Sequence, residues 1–168
     1  MIRLYAQPYN IDASGFVFEN EEEYEAKSRK NRGRFGNPVE ECEIQFIDGD
    51  PLDAEFARAF SLNQASFADF LRLADEWEDH EKTRFIIAVG ECGYDFDPIC
   101  GDIDQFDIDI YEVHSLKELA EQFVDDGLFG EVPTTISNYI DYEAIARDLS
   151  VDYATAEIAG DRLAYRCG

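Results

Sequence analysis

The chain is 168 residues long and sets 38 Asp and Glu against 14 Lys and Arg, a net charge of −24 at pH 7. Such self-repulsion loosens a compact state, disfavours contact with nucleic acid or anionic lipid, and steers a chain toward basic partners. Intrinsic disorder is excluded all the same, because 45% of residues are hydrophobic, with 13 Phe and 9 Tyr, enough for a packed core.

In chain order, residues 2 to 7 and Gly15-Phe16-Val17-Phe18 read as short strands, and Cys42-Glu43-Ile44-Gln45-Phe46-Ile47 alternates as a half-buried strand does. Between them, Glu21 to Arg34 is acidic first and basic afterwards, which suits a helix dipole and i,i+4 pairing and predicts a solvated helix. Asp48-Gly49-Asp50-Pro51 supplies turn chemistry that ends the third strand, and this first module closes near residue 60.

An amphipathic helix follows, started by Ser66-x-x-Asp69, with Phe67, Phe70, Leu71, Ala74 and Trp77 on its apolar stripe. Its outer face carries Asp69, Asp75, Glu76, Glu78 and Asp79. Residues 84 to 89 form an apolar run that periodicity alone leaves open between strand and buried helix. Acids then recur at nearly every second position, at Asp95, Asp97, Asp102, Asp104, Asp107 and Asp109, and Phe106 to Tyr111 alternates as a strand. Ser115-x-x-Glu118 caps a helix striped by Leu116, Leu119, Ala120, Phe123 and Val124 and stopped at Gly127. A short helical stretch after Pro133, a helix from Asp141 with Tyr142, Ile145, Ala146 and Leu149 on one face, and a turn at Ala159-Gly160-Asp161-Arg162 into a strand from Leu163 to Cys167 complete the chain. The fold class is α+β.

The N-terminus has no apolar leader and no run approaches the roughly 18 residues of a membrane span, so a cytoplasmic protein with no membrane partner is expected. Cys42, Cys92, Cys100 and Cys167 form no CxxC pair and read as buried reduced thiols. The Asp-rich run fails a calcium loop, since Phe106 and Asp107 occupy positions that need an acid and a glycine. His80 and His114 read as surface histidines, and no nucleophile elbow, phosphate loop or dinucleotide motif nominates a catalyst. No enzyme activity, metal or cofactor is expected. The bases from Lys27 to Arg34 are expected to pair with Glu19 to Glu25, so no direct nucleic-acid binding follows from them.

The C-terminal third carries a resemblance. Leu119-Ala-Glu-Gln-Phe-Val-Asp-Asp-Gly-Leu-Phe-Gly-Glu-Val-Pro133, followed by Asn138-Tyr-Ile-Asp-Tyr-Glu-Ala-Ile-Ala-Arg-Asp-Leu149, resembles the antirestriction motif and following helix of the ArdA antirestriction proteins. Total length, acidity and element order are similar, while Tyr9-Asn10-Ile11-Asp12 departs from the family's usual Gly and Trp pattern. The resemblance implies an elongated, dimeric mimic of B-form DNA that occupies the DNA groove of type I restriction-modification enzymes and inhibits them. It implies three small modules in a row: 1–60, an antiparallel sheet with a helix; 61–103, a mainly helical acidic module that includes residues 85 to 90; and 104–168, a sheet with helices and the motif. The imitating surface would comprise the acids named above together with Glu118, Glu121, Asp125, Asp126, Glu131, Asp141, Glu143 and Asp148. The dimer contact would lie around Leu128, Phe129, Gly130, Val132, Pro133 and Tyr139; the plainer reading is that Leu128 and Phe129 complete the hydrophobic contact after a helix C-cap.

Charge distribution agrees independently. Residues 1 to 35 balance six acids with six bases, so the other 32 acids, against eight bases, place the whole excess after residue 35. Duplex DNA carries one charge per roughly 1.7 Å of axis, so 24 charges correspond to about 40 Å, or a dozen base pairs. The expected partner is the basic DNA channel of a type I restriction-modification enzyme. The alternative is an acidic interaction or cation-binding protein with another basic partner.

Overall fold

The computed structural model describes residues 1–168, which divide into two compact units, Met1–Gln105 and Phe106–Gly168. Helices and two three-stranded antiparallel sheets make this an α+β protein.

In the first unit, strands β1 (Arg3–Pro8), β2 (Phe16–Phe18) and β3 (Cys42–Asp48) form a sheet in the order β2-β1-β3. Alternation works as the pattern requires: Leu4, Ala6, Phe18 and Ile44 are buried, and their neighbours along each strand are more exposed. Helix α1 (Glu21–Ser28) is capped by Asn20, whose side chain accepts the Glu23 N–H. Lys27 and Arg29 pair with Glu23 and Glu25, each at 2.5 Å. The helix is shorter than the charge pattern predicts, because Asn31 leaves it to donate to the Ser14 carbonyl at 3.0 Å. An Asn that finds a partner outside the helix competes with the helical backbone.

The Asp48-Gly49-Asp50-Pro51 turn does more than end β3. Asp50 accepts the Leu52 N–H and Pro51 takes the first helical position of α2 (Pro51–Ala59), a helix the sequence reading missed despite this start signal. Helix α3 (Phe67–Glu76) begins where expected. Its start is held by Asn63, whose Oδ1 accepts the Ala65 and Ser66 N–H groups, and Ser66 makes no cap bond with its side chain. Helix α4 (Asp79–Phe85) runs directly into a π-helical turn, Ile86–Glu91, so the ambiguous apolar run is helical. The Cys92 N–H reaches back five residues to the Ile87 carbonyl at 2.8 Å, satisfying the backbone of a buried segment that has no neighbouring strand.

Aromatic packing holds these helices. Phe56, Phe70, Trp77 and Phe85 form one cluster, with Phe56 and Phe85 edge to face at 5.0 Å, and Phe67 meets Phe18 of the sheet at 5.2 Å. Lys82 of α4 is buried against Asp53 of α2, Nζ to Oδ1 2.7 Å.

In the second unit, β4 (Ile108–Tyr111), β5 (Ala154–Ile158) and β6 (Asp161–Cys167) form a sheet in the order β4-β6-β5. The sequence reading found β4 and the end of β6 and missed β5. Ala159 and Gly160, at φ +52° and +94°, make the two-residue turn that matches strand twist in a hairpin. Helices α5 (Leu116–Asp125) and α6 (Tyr142–Leu149) pack together, and Val113, Leu119, Phe123 and Ala164 form the core with Tyr111, Leu149 and Tyr153 against it.

The thiols differ from the expectation of four buried, reduced groups. Cys42 is free and buried, whereas Cys100 is free and exposed.

Candidate functional site

The acidic residues that the sequence nominates fall into two groups, those neutralised locally and those left free. On α3, Arg72 lies three residues after Asp69 and four before Glu76, so the helical turn brings both carboxylates to it, at 3.3 and 2.9 Å. These bonds, that from Asp69 first, raise the affinity of Arg72 for its proton. A third bond from Arg72, 2.7 Å to the Pro98 carbonyl, ties the Asp-rich segment to the helix. Glu78 and Glu81 form a reciprocal capping box at the start of α4. Asp75, Asp79 and Asp95 are exposed with no cation within 4 Å.

Farther along, the carboxylates tie their own turns. Asp97 accepts the Cys100 thiol at 3.0 Å and the Ile99 N–H at 2.8 Å; these bonds, the thiol's first, hold its carboxyl below the usual range and push the Cys100 thiol up. Asp102 accepts the Asp104 N–H, and Asp104 lies 4.0 Å from Arg84.

In the second unit, Asp107 is exposed just before β4, and Asp109 sits opposite Arg166 in the β4–β6 register, bonded to it at 2.6 Å. Glu118 accepts the His114 N–H while Ser115 accepts the Glu118 N–H, so the predicted start of α5 is built as a cap. Asp141 caps α6 through the Ala144 N–H, and Glu143 pairs with Lys117 at 3.1 Å. Glu121, Asp125, Asp126, Glu131 and Asp148 are exposed with no cation within 4 Å. Glu112, Asp152 and Asp161 are exposed as well and belong to the same acidic field. Sequence reasoning passed over them because they lie off the helical stripes, although membership of the charge-excess region was signal enough.

The segment after α5 closes the helix with a C-cap just before Leu128 and Phe129. Gly127 takes φ +74°, its N–H bonds the Val124 carbonyl, and the Leu128 N–H bonds the Phe123 carbonyl, which is a Schellman C-cap. The backbone cap is complete, yet Leu128 and Phe129 remain 61% and 57% exposed, and Tyr139 is 85% exposed. Gly130 turns the chain at φ +91°, Val132 is half-buried, and Pro133 is exposed.

Exposed carboxylates thus stand on helix faces and turns of both units, and the segment after α5 leaves Leu128 and Phe129 largely exposed. The model of the antirestriction protein family ArdA matches residues 17–161, and the chain belongs to that family. No curated protein matches it significantly. No helix is long and apolar enough to cross a membrane.

Proposed function

We propose that the protein inhibits a type I restriction-modification enzyme by occupying its DNA-binding channel as a mimic of B-form DNA. The observation that carries this reading is the charge: 32 acids against eight bases after residue 35, with exposed carboxylates on both units that no cation of the chain neutralises. In a channel lined with Lys and Arg, those carboxylates take the place of phosphates and release counterions as phosphates do. We propose further that the functional unit is a homodimer joined through Leu128, Phe129 and Tyr139, whose exposure in the single chain supports an apolar contact there.

Competition is the direct test. The protein and a duplex carrying the enzyme's site should exclude each other, and the protein's affinity should fall steeply with salt. Simultaneous binding of both, or an affinity indifferent to salt, would end this reading. Exposed charges contribute roughly 0–1 kcal/mol each, so neutralising Asp107, Asp109 or Asp125 singly should change inhibition by less than about fivefold. Asp109, already paired with Arg166, should matter least.

A further inference from the structure

The sheet of the first unit ends in an edge that is open at its middle. In the order β2-β1-β3, strand β3 has a neighbouring strand on one side only. The Tyr9 N–H bonds the Glu41 carbonyl and the Cys42 N–H bonds Gln64 Oε1, which fixes the phase of the ladder. Glu41, Glu43 and Gln45 turn their backbone groups toward β1, and Cys42, Ile44 and Phe46 turn theirs away from it. Gln64 covers the start of this edge much as a strand would, accepting from the Cys42 N–H at 2.9 Å and donating to the Glu40 carbonyl at 3.0 Å. At the far end Leu4 pairs with Phe46 and Arg3 with Asp48, so Ile47 bulges out of the ladder. Between Gln64 and the bulge, the N–H and C=O groups of Ile44 and Phe46 have no bond within the chain.

An apolar slot lies beside these two residues. A cavity of about 270 Å³ is bounded by Ile44 and Phe46 of the strand, by Ala54, Ala57 and Arg58 of α2, and by Leu62 beyond it. Ile44 and Phe46 share the inner face of the sheet with Ala6 and Leu4, their partners in register, so the slot continues the core past the last strand. On the outer face Glu43 and Gln45 are exposed, and Glu40, Glu41, Asp48 and Asp50 are exposed around the two ends of the strand. The one cation at the slot, Arg58, lies on the inner side. Basic side chains of an entering chain therefore belong on the outer face, beside Glu43.

We propose that the β3 edge takes up an extended segment of a partner protein as a fourth strand, one in which apolar residues alternate with Lys or Arg. The free backbone groups of Ile44 and Phe46 supply the ladder bonds, and alternate side chains supply the selection. Inward residues of the segment enter the slot and cover the core. Outward residues stand beside Glu43, where a cation makes a favourable cross-strand pair and an acid an unfavourable one. A helical segment would leave the open edge unpaired. A second copy of β3 would set Glu43 and its acidic neighbours against their own kind, in chains of net −24 each. The contact uses the backbone of one strand rather than a DNA-like array of carboxylates, and it stands or falls apart from the proposed mimicry.

Fluorescence anisotropy of a labelled, end-capped peptide of alternating Val and Lys with the full chain, at about 0.15 M salt, tests the proposal. The alternating peptide should bind, and the same residues arranged as a Val block and a Lys block should bind more weakly. A peptide of alternating Val and Glu should not bind. Methylation of one phase of backbone amides, those of Val for an antiparallel strand or of Lys for a parallel one, should abolish binding, while methylation of the other phase leaves it. Glu43→Lys, on an exposed side chain, should weaken binding about fivefold. Amide exchange gives a readout on the unaltered protein: the Ile44 and Phe46 N–H groups should exchange more slowly when the peptide is bound. No binding of the alternating peptide, equal affinity for the block peptide, indifference to both methylations, or unchanged exchange at Ile44 and Phe46 would overturn the proposal, the middle two by reducing the contact to attraction between opposite charges.

Discussion

Lys82 and Asp53 join α4 to α2 with side chains only 10% and 14% exposed and Nζ 2.7 Å from Oδ1. Lys82→Met keeps the aliphatic length and removes the charge, leaving a desolvated carboxylate without its partner. Breaking a buried pair in this way costs about 3–5 kcal/mol, a large fraction of the roughly 5–15 kcal/mol that holds a domain together. For a unit of this size the melting temperature should fall on the order of 15 °C. Replacing both residues, Asp53→Leu with Lys82→Met, should restore most of the loss, because an apolar pair of similar volume is often neutral or stabilising there. Urea and thermal unfolding followed through Trp77 reports on this core directly, since its ring lies 5.6 Å from Phe56 of α2 and 5.7 Å from Phe85 of α4. A cost below about 1 kcal/mol for Lys82→Met, the range of exposed pairs, would refute the reasoning. It would mean that the cleft which Asp53 lines with Glu19, Glu21 and Asp75 hydrates the carboxylate fully.

The Schellman bonds at Gly127 and Leu128 are made by backbone, so Leu128→Ala with Phe129→Ala should leave α5 intact by circular dichroism while dissociating the proposed dimer in sedimentation; a dimer that survives counts against this interface. Ala159 holds φ +52° at the first position of its hairpin turn, a place that suits Asn, so Ala159→Asn should gain about 0.5–1 kcal/mol in urea unfolding, and a loss would contradict the strain assigned to it. The Lys27 bond lowers the Glu23 carboxyl below the ordinary glutamate value, and the Cys100 thiol bond lowers that of Asp97 below the ordinary aspartate value. With folded values depressed, both contribute stability above those unfolded values and lose it as pH falls through the lower folded ones. Glu23→Gln should therefore flatten the acid side of the melting-temperature profile, and an unchanged profile would remove Glu23 from the account.

The strands of the first sheet, the stripes of α3, α5 and α6, and the caps at Ser115 and Asp141 were legible in the sequence because each depends on residues within one or two turns of each other. The charge excess was equally legible, as it needs no geometry. What the sequence could not decide were the features set by partners distant along the chain. Residues 84 to 91 fit strand or helix by pattern, and the helix is chosen by burial against α2 with its backbone satisfied internally. Strand β5 has little apolar alternation of its own and exists because β6 offers it a ladder across a two-residue turn. Helix α1 stops at Ser28 since Asn31 finds the Ser14 carbonyl, and that one tertiary bond leaves Lys30, Arg32 and Arg34 unpaired. Among the acids, composition sets the total charge, but which carboxylates stay free depends on where the fold puts its few cations: Arg72 between Asp69 and Glu76, and Arg166 across the sheet from Asp109.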